Sequence, residues 1–130
     1  MLIDWSDEFD TSLTRLEEST DSVDRQRLRL LQAELSILQS LDEAPTDDTP
    51  SLKRVSQSRR YQVWRVAHPY REGVAVRLIV WFPTTDHAVV ALLAGDKARM
   101  GDVFYDSVGI RADAAIESWI RQTREKEEET

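Results

Sequence analysis

The chain has 130 residues, of which 41% are hydrophobic, and this composition is enough for one domain with a hydrophobic core. It has no cysteine and only two histidines, which excludes a disulfide framework and thiolate chemistry and argues against a zinc or di-iron site. No apolar run approaches the ~20 residues of a membrane span, and the acidic N-terminus is unlike a signal peptide, so the sequence predicts a soluble cytoplasmic protein.

Charge is distributed unevenly along the chain, whose net charge is −7. Residues 1–50 have a net charge of −9 and residues 112–130 a net charge of −3. Residues 51–111 hold ten basic and five acidic residues, a net charge of +5. A basic segment within an acidic chain is typical of a local phosphate site, although the solvated face of a sheet gives the same pattern.

The N-terminal half predicts a brief strand at Leu2 and Ile3, followed by two helices. Ser6 is a suitable N-cap for a helix over residues 7–18, and a second helix is expected over residues 22–42. The second helix carries two apolar stripes: Leu28, Leu31, Leu35 and Leu38, and then Leu30, Ala33, Ile37 and Leu41. Such a wide apolar surface predicts contacts with the sheet and also with the first helix or a partner. Residues 43–50, with two prolines, predict an exposed acidic loop.

Three strands are expected next, over residues 61–68, 74–82 and 87–94, and short loops between them predict an antiparallel meander. A last helix is expected over residues 112–127, with a frayed tail at 125–130. The sequence therefore predicts a single α+β domain over residues 1–130, with two N-terminal helices packed on the small meander and one C-terminal helix. The predicted core contains Trp5, Phe9, Leu31, Leu35, Leu38, Val76, Leu78, Val80 and Val90.

Arg77 is the residue that stands out chemically, because it lies in the middle of an apolar strand. Its guanidinium must reach water, a carboxylate or a phosphate, since an unpaired buried charge costs several kcal/mol. Lys97, Arg99 and Tyr105 follow the third strand. Together these four side chains can form a cationic cup that binds a phosphodiester, stabilises its transition state and assists proton transfer. The alternatives are an internal ion pair for Arg77 and an ordinary basic loop.

The order of elements resembles that of the RelE/ParE toxin superfamily, including its HigB-like members. The resemblance is densest at Leu52-Lys53-Arg54 and in residues 61–66, 76–80 and 93–106. It implies the RelE-like fold and the toxin component of a type II toxin–antitoxin system. Such toxins are ribosome-dependent endoribonucleases, or mRNA interferases, that use no metal and no cofactor and are silenced by a cognate antitoxin. The implied partners are the antitoxin, the ribosome and mRNA, with a second protomer as an alternative occupant of the second helix.

The resemblance also assigns roles to individual residues. Arg77 matches the strand arginine that grips the scissile phosphate, Lys97 or Arg99 the basic residue that stabilises charge and acts as acid, and Tyr105 the tyrosine that acts as base or stacking platform. The implied RNA-binding residues are Lys53, Arg54, Arg65 and His68. Where RelE carries two lysines on the first meander strand, this chain has Gln62 and Trp64. A ParE-like, non-enzymatic inhibitor of gyrase and an inactive regulatory protein on the same scaffold remain the alternatives.

Overall fold

The computed structural model describes residues 1–56, 60–66, 76–96 and 102–128, without the side chains of residues 96 and 102–106. Its elements are, in chain order, β1 (Leu2–Trp5), α1 (Asp7–Glu18), α2 (Ser22–Gln39), β2 (Leu52–Arg54), β3 (Val63–Val66), β4 (Val76–Trp81), β5 (Ala88–Asp96) and α3 (Asp102–Glu128). In this part of the chain, no helix is both long enough and apolar enough to cross a membrane.

The strands form one mixed sheet in the order β1-β5-β4-β3-β2. Strands β2 to β5 make an antiparallel meander, and β1 pairs in parallel with β5 at the edge. The expected α+β class and the meander are therefore confirmed, but the sheet is larger than predicted. The short strand β2 was missed as a strand of the meander, because three residues are too few to show an alternating pattern.

The helix boundaries follow the capping residues. The Ser6 hydroxyl accepts a hydrogen bond from the Phe9 amide, and α1 covers the predicted residues 7–18. Asp21 caps α2 through the Val23 amide, and this helix ends at Gln39, before the predicted end at residue 42. The predicted start of the last helix at residue 112 is wrong: α3 begins at Asp102, so its first turns lie in the segment that was expected to be a basic loop.

Each face of the sheet is covered by a hydrophobic layer. Helices α1 and α2 pack on one face, in a layer that includes Phe9, Leu31, Leu38, Leu78 and Val80. Helix α3 packs on the other face, in a layer that includes Ile79, Val90, Leu92, Ala112 and Ile116. These two layers are called here the α1/α2 layer and the α3 layer.

Most of the predicted core is buried, with two exceptions. Trp5 was expected in the core but is 44% exposed, because β1 is an edge strand; its ring lies 6.0 Å from that of Phe9. Leu35 is half-buried against the α1/α2 layer. The second stripe of α2 is largely covered within the chain, since Leu30 is buried and Leu41 packs on the same layer. Ile37 and Leu41 are only half-buried, so the prediction that α2 offers an interaction surface stays a prediction.

Strand β5 contains a bulge that reverses its alternation. Ile79 pairs with Leu93 and Val80 pairs with Ala91, so Leu92 is an extra residue on the β5 side. As a result Leu92 and Leu93 both pack in the α3 layer. Beyond the bulge the register places Gly95 opposite Arg77.

Candidate anion-binding face

Three basic side chains lie on one face of the sheet, in three neighbouring strands. Lys53 of β2 lies directly opposite Arg65 of β3, and Arg65 lies opposite Ile79 of β4. Directly opposed residues share a face, and so do residues two apart in one strand, which adds Arg77 to the same side as Ile79. Since Ile79 belongs to the α3 layer, the three basic residues lie on that side of the sheet. Lys53, Arg65 and Arg77 are called here the cationic face.

The arrangement of the cationic face is unfavourable without a counter-charge. Like charges directly opposite each other in neighbouring strands destabilise a sheet. Lys53 and Arg65 are both half-buried, and neither forms an ion pair with any carboxylate of the described residues. An anion held between these strands would remove the repulsion, so the face is suited to a phosphate or a similar group.

Arg77 is more buried than the other two. It lies within β4 and is only 8% exposed. Its cross-strand neighbour is Gly95, which contributes no side chain. The role in phosphate binding that the sequence predicts for Arg77 stays a prediction.

Glu34 is a buried acid that sequence reasoning missed. It lies on α2, in the α1/α2 layer, and is fully buried. Burial raises the pKa of its carboxyl to about 9, although the nearby charge of Arg77 and the backbone amide of Leu78 act in the opposite direction. At neutral pH Glu34 is therefore protonated. A signal was present in the sequence, since Glu34 lies one helical turn from both Leu30 and Leu38 in an apolar stripe.

Arg54 does not belong to the cationic face. It pairs in register with Trp64, whose side chain lies in the α1/α2 layer, so Arg54 is on the other side of the sheet. Its Nε is 3.4 Å from Oδ1 of Asp48, and its terminal nitrogen is 3.6 Å from Asp47. The Arg54 backbone amide, followed by its guanidinium, also lowers the pKa of Asp48. The predicted RNA-binding arginine is thus engaged by the acidic loop.

Several predicted site residues lie outside the described residues. These are His68, Lys97 and Arg99, and the roles predicted for them stay predictions. Tyr105 lies in α3, and its side chain is not described. The backbone next to these segments is described: Val66 ends β3, and Val76 pairs with Asp96, all at the end of the sheet where Arg77 lies.

Gln62 and Trp64, the positions where the resemblance would lead one to expect lysines, have different environments. Trp64 is 4% exposed and contributes to the α1/α2 layer, so a lysine there would place a charge in the core. Gln62 is exposed just before β3, and its side-chain amide donates to the Val63 carbonyl. Arg65, between Trp64 and Val66, faces the α3 side of the sheet, as Val63 does.

Residues that could bind a metal do not cluster in the described ranges: no group of three or more histidine, cysteine, aspartate or glutamate side chains has suitable geometry.

The fold and the candidate site together define an α+β protein with a cationic sheet face. No family model matches the chain, and no curated protein or solved structure is significantly similar to it. Its function has to be inferred from its own residues.

Proposed function

We propose that this chain is the toxin component of a type II toxin–antitoxin system and acts as a RelE/HigB-like, ribosome-dependent mRNA endoribonuclease in the cytoplasm. The observation that carries the proposal is the cationic face, where Lys53, Arg65 and Arg77 lie together on the α3 side of the sheet. A strip of positive charge suits a phosphodiester backbone better than it suits a neutral ligand. The mixed sheet with two N-terminal helices on one face also fits the proposal.

The proposed reaction needs no metal. The 2′-oxygen of the substrate attacks the adjacent phosphorus, the bond from phosphorus to the 5′-oxygen breaks, and a 2′,3′-cyclic phosphate remains. Arg77 stabilises the additional negative charge of the pentacoordinate transition state, which is the largest contribution that a positioned cation can make. In this scheme Tyr105 takes the proton of the 2′-hydroxyl, and Lys97 or Arg99 supplies the proton for the leaving oxygen. Free tyrosine and lysine have pKa values of about 10 and 10.4, so the basic surroundings are needed to bring either group into its working range.

The partners of this function are the ribosome with its mRNA and a cognate antitoxin that prevents cleavage. Lys53 and Arg65 bind the RNA backbone beside the scissile phosphate in this proposal, with His68 as a further contact. A second protomer is the remaining candidate partner, and its presence can be measured by the oligomeric state of the purified protein.

The proposal is tested by expressing the chain without an antitoxin and mapping the ends of ribosome-engaged transcripts. Growth arrest with cut mRNA is expected. Arg77→Ala and Tyr105→Phe should each lower the cleavage rate by about 10²- to 10⁴-fold, because each removes a group that acts mainly in the transition state. Arg54→Ala is the matched control, since it removes the same charge from the opposite side of the sheet and should leave most cleavage intact. Circular dichroism of each variant shows whether the fold is retained.

A ParE-like protein that inhibits gyrase by contact alone is the second candidate. It is favoured by the pairing of Arg54 with Asp47 and Asp48, which leaves a predicted RNA-binding residue occupied. Growth arrest that persists in the Arg77→Ala, Tyr105→Phe double variant, with intact transcripts, would favour this function over the nuclease. No arrest at all, with the wild-type chain well expressed, would favour an inactive regulatory protein.

A further inference from the structure

A second surface feature lies away from the cationic face. The C-terminal end of α2 and the segment that follows it enclose an open groove of about 580 Å³. We call it the α2 groove; its apolar lining consists of Ile37, Leu41, Ala44, Pro45, Pro50 and Leu52. This volume is within the range of ~300–1,000 Å³ that is typical of ligand sites. All residues that line the groove are among those that the structure describes.

The floor of the α2 groove is apolar surface that the chain does not fully cover. Ile37 is half-buried and belongs to neither hydrophobic layer, unlike its neighbour Leu38, which is fully buried. Leu41, Ala44 and Pro45 are also only partly buried. Partly covered aliphatic and proline side chains that line one concave surface are typical of a protein interaction site.

The wall of the α2 groove is held by hydrogen bonds. The Ala44 amide donates to the Thr85 carbonyl at 2.7 Å, and the Thr49 amide donates to the Leu52 carbonyl at 2.8 Å. The N-terminal ammonium of Met1 donates to the Leu41 carbonyl at 2.9 Å. A groove whose walls are tied to the sheet and to the end of a helix is preformed, so a ligand does not bear the cost of ordering it.

The rim of the α2 groove is acidic. Glu43, Asp47 and Asp48 are exposed on it, and the only described contacts of Asp47 and Asp48 with a basic side chain are those to Arg54. This rim repels nucleic acid. It also disfavours a second copy of the chain, whose net charge is −7. An apolar floor with an acidic rim is complementary to an apolar segment that carries basic residues.

We propose that the α2 groove binds a segment of a partner protein in which apolar side chains are flanked by lysine or arginine. The apolar side chains fill the space over Ile37 and Leu41, and the basic ones face Glu43, Asp47 and Asp48. The groove is on the α1/α2 side of the sheet, and the cationic face is on the α3 side. Both surfaces can therefore be occupied at once. The inference does not depend on the nuclease activity.

The test uses a short synthetic peptide with two leucines one helical turn apart, flanked by lysines, added to the isotope-labelled full chain. Amide chemical-shift changes are expected within residues 37–52. Replacing both leucines of the peptide by serine should weaken binding by at least about tenfold, because burial of large aliphatic side chains contributes that much to affinity. Replacing its lysines by glutamates should abolish binding.

Two variants of the protein make the test specific. Ile37→Ser should weaken binding of the leucine peptide about tenfold, whereas Val23→Ser, which alters an exposed apolar residue at the other end of α2, should not. Glu43→Gln provides a second variant that cannot disturb the core. Shift changes at Asp4, Asp7 and Asp10, or an affinity that is insensitive to the leucines, would overturn the proposal in favour of non-specific attraction. Self-association that Ile37→Ser abolishes would instead identify a second copy as the occupant.

Discussion

Glu34 and Arg77 lie on opposite faces of the sheet at strand β4. Arg77 belongs to this strand, and Glu34 belongs to the helix α2 that packs over it. Glu34 is fully buried on the α2 side, and Arg77 is 8% exposed on the α3 side. Within the described residues, neither carboxyl oxygen of Glu34 accepts a hydrogen bond of normal geometry. The strand therefore lies between the two groups, and burial keeps the Glu34 carboxyl protonated at neutral pH.

The first prediction concerns the stability of Glu34→Gln as a function of pH. Burial raises the pKa of Glu34 from 4.5 to about 9, so below pH 4.5 both the folded and the unfolded chain hold this proton. Between these two values only the folded chain holds it, and the free energy of unfolding falls as the pH rises. Glutamine carries no such proton. The variant should therefore gain stability relative to the wild type through this window, by about 3 kcal/mol at pH 7.

Urea denaturation at pH 4.5, 7 and 9 measures this difference. Glu17→Gln, on the exposed side of α1, is the control and should show no comparable trend. A stability difference between Glu34→Gln and the wild type that does not change with pH would show that Glu34 is ionised in the folded chain.

The second prediction concerns the like-charge pair of the cationic face. Lys53→Met should leave the free energy of unfolding unchanged or raise it by about 0.2–1 kcal/mol, because it removes the repulsion from Arg65 across the strands. The same change should weaken RNA binding and reduce its dependence on salt by about one counterion. Fluorescence anisotropy with a short RNA at several salt concentrations measures the RNA affinity and its salt dependence. Lys126→Met is the control, since it removes an equal charge near the C-terminal end of α3. An equal loss of RNA affinity in both variants would indicate that only the overall charge of the protein attracts RNA.

The third prediction concerns the acidic loop. Asp47 and Asp48 contact Arg54, so replacing both by asparagine releases the guanidinium and removes two negative charges. The Asp47→Asn, Asp48→Asn variant should bind RNA a few-fold more tightly than the wild type at low salt, and the gain should disappear at high salt because these groups are exposed. In the Arg54→Ala background most of the gain should be absent. A gain that is equal in both backgrounds would mean that overall charge, and not Arg54, is responsible.

The fourth prediction concerns Ser6, which joins α1 to the sheet. Its hydroxyl accepts from the Phe9 amide and donates to the Leu92 carbonyl at the bulge of β5, and it is 4% exposed. Ser6→Ala should lower the free energy of unfolding by about 1–2 kcal/mol, since a cap is lost and a buried carbonyl loses a donor. Ser22→Ala, an exposed serine at the first position of α2, should change it by less than about 0.5 kcal/mol. Thermal unfolding of the three proteins compares them.

The parts of the fold that follow from local chemistry could be predicted from the sequence. Ser6 as an N-cap predicted the start of α1. The alternation from Val76 to Trp81 predicted which residues lie on each face of β4. The start of α3 at Asp102 was missed, because Gly101 and Gly109 and the basic residues before them indicate a loop. The exposure of Trp5 depends on β1 being at the sheet edge, and this pairing is a tertiary property that a local pattern does not contain.

The candidate site was predictable only in part. Arg77 stood out because a charge within an apolar strand needs an explanation. Its alignment with Lys53 and Arg65 depends on the register of three strands, and register is set by pairing rather than by composition. The position of Arg54 on the opposite face of the sheet likewise depends on the register between β2 and β3.

The extra residue of β5 has a consequence for the surroundings of Arg77. If Leu92 paired with Ile79 and the strand continued without the bulge, Ala94 and not Gly95 would lie opposite Arg77, and an alanine methyl group would stand next to the arginine. The glycine opposite Arg77 therefore depends on the extra residue of β5 as much as on side-chain identity. A chain that paired all of its β5 residues without the bulge would need its glycine at position 94 to give Arg77 the same neighbour.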